Sequence, residues 1–222
     1  MTRQAVAILR KDLLLERRSK ANLNALIFLA GLILLIVSLA LGPSTRLLHS
    51  AAGGVLWIAF AFAGVLAFAR AYQSESENRC YEALVLAGAD PKAIYLGKLA
   101  ATVIVMLTVE TVVIVAMALI YPVSAASFFP WLPIVAALGT VGLAAIGVLY
   151  GRLTMRLRAR EVMLPLLVLP VVVPVVLAAV QASSLLLSGS TAGIWTWIEL
   201  LLVFDAVFVT GGLLTFEAVG RE

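Results

Sequence analysis

Three acids lie inside long apolar runs of this 222-residue chain: Glu110, Glu199 and Asp205. A charge at mid-membrane depth costs at least roughly 2.5–3.5 kcal/mol on insertion scales, so such residues face protein or water and usually serve a function. Glu110 falls near the middle of its run. Asp205 stands about 12 Å beyond Trp197 at ~1.5 Å per residue, whereas Glu199, two residues beyond Trp197, reaches the interface cheaply. No Lys, Arg or His shares these runs, so an ion pair deep within the chain is not available. Glu110 and Asp205 must be protonated, hydrogen-bonded to hydroxyls or backbone, or paired with another subunit. Subunit pairing is the favoured reading for Asp205, and a neutral acid inside the bundle is the plainer one.

Other chemistry is excluded by composition. One Cys (Cys80) and one His (His49) exclude an internal disulfide and argue against a self-contained metal site. With His49 alone on a loop, no Ser/His/Asp or Cys/His arrangement is credible. There is no G-x-x-x-x-G-K-[ST]; the glycines nearest Lys98 are Gly88 and Gly97, at the wrong spacing. The chain therefore reads as a non-enzyme with no catalytic residue, no metal and no directly bound cofactor. Any ATP would be hydrolysed by a partner.

The most informative polar stretch is Glu75–Leu99, ESENRCYEALVLAGADPKAIYLGKL. Cys80, Leu84 and Ala87 recur at helical spacing, and Gly88 follows where a helix end favours positive φ. Asp90 and Pro91 then restart a helix: the carboxylate accepts from the first free N–H groups, and Pro has none to waste. The pattern predicts a short helix, a sharp turn and a climb into an apolar span from Lys98. A surface helix between two spans is what a permease offers to a partner that pushes on it; a solvated loop helix is the bland alternative.

The chain is 63% hydrophobic and 13% charged, against roughly 45–50% and about 25% for soluble domains. It is an all-α integral membrane protein with one transmembrane domain over 1–222. Spans are expected at about 23–41, 51–69, 99–120, 131–150, 162–180 and 196–216, each near the ~20 residues that cross a ~30 Å core. The fifth carries Pro165, Pro170 and Pro174, which bend or break it, and the uncharged stretch 181–195 reads as a loop. Gly147 and Gly151 form a G-x-x-x-G that permits close packing. The first run is too long for a signal-peptide core, so no cleavage is expected.

Residues 1–20 predict an interfacial helix near anionic headgroups: Arg3, Arg10, Arg17, Lys11 and Arg18 share one arc, Val6, Leu9 and Leu13 another. Asp12 and Glu16 interrupt the apolar side. Fifteen of the sixteen Lys and Arg residues lie on one side of the predicted topology, and only Arg46 on the other. The positive-inside rule then places both termini in the cytoplasm. Trp57, Trp131, Trp195 and Trp197 fall at or near the outer ends of spans, as an aromatic belt or as a platform for a flat ligand. The charge positions argue against nucleic acid.

The run from Phe68-Ala69-Arg70 through Glu75, Glu77-Asn78, Glu82, Leu84, Leu86 and Asp90 to Ile94-Tyr95-Leu96-Gly97-Lys98 resembles the CcmB family, permease subunits of the cytochrome c maturation ABC complex. Leu9-Arg10-Lys11-Asp12-Leu13, the proline-rich fifth span and Leu201-Leu202-Val203-Phe204-Asp205 are similar too. Arg79-Cys80-Tyr81 departs from the pattern, where a small residue is expected. The resemblance implies an ABC-2 exporter-like fold in the bacterial inner membrane. It implies a permease homodimer with a CcmA-like ATPase, CcmC-like and CcmD-like subunits and a CcmE-like haem chaperone. ATP would sit on the partner and haem at the complex. Glu75, Glu77, Arg79, Tyr81, Glu82, Asp90, Pro91 and Lys98 would form the ATPase-coupling element, 75–98. Three other readings stand beside it: a different ABC-2 exporter, a proton-coupled carrier using Glu110 and Asp205, and a passive scaffold.

Overall fold

The computed structural model describes residues 1–18, 20–72, 84, 86, 88–121, 131–155, 160–189 and 192–219. Among them the chain is all helical: α1 (Thr2–Arg18), α2 (Lys20–Leu41), α3 (Thr45–Ala71), α4 (Pro91–Ile120), α5 (Trp131–Thr154), α6 (Arg160–Leu187) and α7 (Ile194–Val219). Helices α2 to α7 are the six long and apolar enough to cross a membrane. Helix α1 and the end of α7 both meet the base of α4, through Asp12–Lys98 and Glu217–Lys92, at one end of the bundle, the basic end.

Each of the six spanning helices outruns its expected span. At ~1.5 Å per residue the 30 residues of α4 extend about 45 Å. That exceeds a ~30 Å hydrocarbon core, so its first turns, Pro91 to Lys98, project beyond the core at the basic end. The start of α4 follows the sequence signal: the Asp90 carboxylate accepts the Lys92 N–H at 2.9 Å with Pro91 in the first turn. Gly88 takes φ 73°, the left-handed conformation that halts a preceding helix.

Two expectations need correction. The loop expected over 181–195 is shorter than that: α6 continues to Leu187, α7 begins at Ile194, and Ser183 and Ser184 lie on the buried side of α6 against α3. Nor do the three prolines break α6, which runs through them. The buried stripe of α6 is Leu164, Val168, Val172, Val175, Ala179 and Ala182. Pro170 is exposed, and Pro165 and Pro174 sit at the stripe's edge, so their rings do not intrude on the core.

Helices α3 and α5 form the inside of the bundle, with 67% of the apolar window of each buried, against 17% for α2 and 22% for α7. Glycines on α5 make this packing close. The Phe68 ring of α3 lies on Gly147, Tyr72 on Gly151 and Trp57 on Gly139, where an added Cβ would collide with each ring. The G-x-x-x-G thus receives aromatic rings rather than a bare helix backbone. Trp57 is fully buried and donates its indole N–H to Ser183 Oγ at 2.9 Å. It is a core residue, which corrects its assignment to an aromatic belt. Trp131 and Trp195 do meet at the far end of the bundle, edge to face, with centroids 5.2 Å apart.

Candidate functional site: a polar junction at the basic end

Lys98 is 1% exposed, yet it is a lysine in the projecting base of α4. Its Nζ lies 3.3 Å from Asp12 Oδ2 of α1 and donates to the Ala71 carbonyl at the end of α3 at 3.1 Å. It also stands 4.6 Å from the centroid of the Tyr72 ring. A buried ammonium is tolerated only with such partners, because removing one side of a buried pair typically costs about 3–5 kcal/mol. The other Asp12 oxygen pairs with Lys11 at 2.9 Å.

Contacts on either side extend the junction. Gly97 exists because α1 passes over it: a Cβ there would meet the Ala5 carbonyl oxygen at 2.7 Å and the Ile8 Cβ at 2.8 Å. The Gln4 amide donates to the Gly88 carbonyl at 3.5 Å and accepts the Asp90 N–H at 3.3 Å. Arg70 donates to the Asn22 carbonyl at 3.4 Å and to Asn22 Oδ1 at 3.2 Å. Burial pushes the Glu16 carboxyl above its ordinary range, partly offset by a hydrogen bond from Asn22 and by the charge of Arg70. Lys92 pairs with Glu217 of α7 at 2.8 Å, a half-exposed bridge of little energetic weight.

The junction therefore clamps both ends of one segment. Tyr72 marks where the chain leaves α3, and Gly88 and Asp90 mark where it returns. Of the expected coupling residues, Asp90, Pro91 and Lys98 belong to this clamp. Glu75, Glu77, Arg79, Tyr81 and Glu82 lie outside the described residues. Leu86, within that segment, is 89% exposed. Sequence reasoning missed Asp12 as a partner of Lys98, along with Asn22 and Tyr72. Asp12 was visible only as an interruption of an apolar arc, and nothing marked Asn22.

The three intramembrane acids are not brought together. Glu110 of α4 is buried and accepts the Thr140 hydroxyl of α5. Its Oε2 has no hydrogen-bond partner among the described residues. Asp205 of α7 is buried on another side of α5, where a Cβ on Gly142 would come within 2.7 Å of its Oδ1. It points into its own bundle. Glu199 is exposed on α7.

A bundle of six helices, each long and apolar enough to cross a membrane, defines a multi-pass membrane protein. Residues 3–219 match the family model described as CcmB protein, so the chain belongs to the CcmB family. It is similar to heme exporter protein B of Pseudomonas aeruginosa, 28% identical over 201 residues, covering 86% of each chain. It is similar also to heme exporter protein B of Haemophilus influenzae, 28% identical over 173 residues, covering 78% of this chain and 77% of the relative.

Proposed function

We propose that this chain is the membrane permease subunit of an ABC transporter complex for cytochrome c biogenesis. It couples ATP hydrolysis by a partner ATPase, CcmA-like, to export of haem or release of a haem-loaded chaperone. In this reading it sits in the bacterial inner membrane with both termini cytoplasmic, as a homodimer beside CcmC-like and CcmD-like subunits, with a CcmE-like protein as the chaperone. The whole-length family match and the names of the relatives support the haem connection.

The observation that carries the coupling role is the buried Lys98. It ties the exit of α3, the base of α4 and α1 together around the segment between Tyr72 and Asp90. A push on that segment is passed to two spans at once, because neither end can move without disturbing a buried ion pair. Packed, charge-paired ends transmit displacement where a free loop would absorb it. The chain itself contributes no nucleotide chemistry in this scheme. The proton-carrier reading gains less support, since Glu110 and Asp205 face different neighbours of α5.

The test is purification from the native membrane in mild detergent through a C-terminal tag, with co-purifying subunits identified by mass. An ABC ATPase and a haem-handling membrane subunit should come down together. Glu82→Ala and Asp90→Ala should insert normally, yet lose ATP-dependent function. Recovery of the chain without any ATPase would overturn the proposal.

A further inference from the structure

The fold sorts the charges of α1 in a way its sequence does not. Gln4, Ile8 and Asp12 follow one another at i, i+4 and i+8 and are turned onto the base of α4. Glu16 is drawn in beside Asn22 and Arg70. Both acids of α1 are thereby withdrawn from its outer face. Arg3, Ala7, Arg10, Leu14 and Arg17 form one continuous line along the opposite side, with Arg18 beside it, and all six are exposed. No exposed residue of α1 is acidic. The packing over Gly97 prevents the helix from rolling this face inward.

We propose that this outer face of α1 is a binding surface for the headgroups of anionic phospholipids. Two features favour lipid over an acidic protein surface. Exposed Val6, Leu14 and Leu15 intersperse with the arginines, which suits the boundary between headgroups and acyl chains. The surface also leads directly into α2, which begins at Lys20 and presents exposed Phe28, Leu32, Leu35 and Leu39, so Arg17 and Arg18 stand at headgroup level. Arginines near the end of a helix also complement its dipole, but that accounts for Arg17 and Arg18 alone and not for Arg3 and Arg10.

The experiment uses the full chain in mild detergent. It is titrated with phosphatidylglycerol or with phosphatidylcholine of matched acyl chains, and retained lipid is counted by native mass spectrometry. The unaltered chain should retain phosphatidylglycerol preferentially, and added salt should erode the preference. The triple variant Arg3→Gln, Arg10→Gln, Arg17→Gln should lose that preference by at least about tenfold, since each arginine at headgroup level is worth about fivefold. Arg18 and Lys20 are kept so that membrane orientation is undisturbed. The corresponding triple Lys variant should keep the preference, because the attraction is one of charge. Equal retention of the two lipids by the unaltered chain overturns the proposal without any variant. So does a Gln variant that keeps its preference, or a Lys variant that loses it. If the Gln variant keeps its lipid but sheds a co-purifying subunit, the face docks protein instead.

Discussion

The basic end and the middle of the bundle handle charge in opposite ways. At the basic end Lys98 is buried among an acid, a carbonyl and an aromatic ring drawn from two other helices. In the middle, Glu110 has one hydroxyl and Asp205 stands beside a glycine. The first arrangement is a joint, because its parts belong to separate elements and lose their partners if those elements separate. The second is a pair of isolated polar points within packed helices. The difference places the contact that joins three helices near the surface, where an ion pair can be partly solvated, and not in the hydrocarbon.

Breaking the joint should have the largest effect. Lys98→Met leaves Asp12 without its cross-helix partner and should cost about 3 kcal/mol, the lower part of the range for severed buried pairs, because Asp12 retains Lys11. Thermal unfolding in detergent reads this as a lowered midpoint. The double variant Asp12→Leu, Lys98→Met should be more stable than Lys98→Met alone; a further loss would show that the two charges are not a unit. Gly147→Val comes next. It forces the Phe68 ring off α5 and should cost about 1–3 kcal/mol. Gly31→Ala meets open space and should be neutral or slightly stabilising in the same assay.

The hydrogen bond of Glu110 is expected to have a comparable effect. Thr140→Val removes the donor to Glu110 and should cost about 1–3 kcal/mol, with Thr140→Ser restoring most of it. If the Val variant is as stable as its parent, the hydroxyl does not serve the acid.

The smallest effect is one of pH at Glu16. Burial raises its carboxyl in the folded chain, so the folded state holds the proton more tightly than the unfolded one. Stability from this group therefore falls as pH rises from the ordinary carboxyl value of 4.5 through the raised folded value. Glu16→Gln should raise the unfolding midpoint slightly at neutral pH, and the advantage should vanish below about pH 4.5. An advantage that grew on acidification would reverse the sign and sink the assignment.

The sequence by itself determined the class of protein, the number of crossings and several boundaries. Long charge-free runs can satisfy their backbone in lipid only as helices, and Asp90-Pro91 can start a helix wherever it is placed. Local composition also marked Gly88 and, on α5, Gly147 and Gly151, but not Gly139 or Gly142. It erred where tertiary partners override composition. Ser183 and Ser184 look like loop residues until a buried indole and a glycine of α3 are set against them. Trp57 looks interfacial until Gly139 makes room for it in the core. The junction itself was only half legible. Lys98 stood out as a charge at the mouth of a span, but its partners come from α1 and α3, some 86 and 27 positions away along the chain. Only the tertiary structure decides which face of α1 turns inward, because a helix with acids and arginines on different arcs can be seated by either one. The close approach at Gly97 and the ion pair at Asp12 choose the acids, and leave the arginines outside.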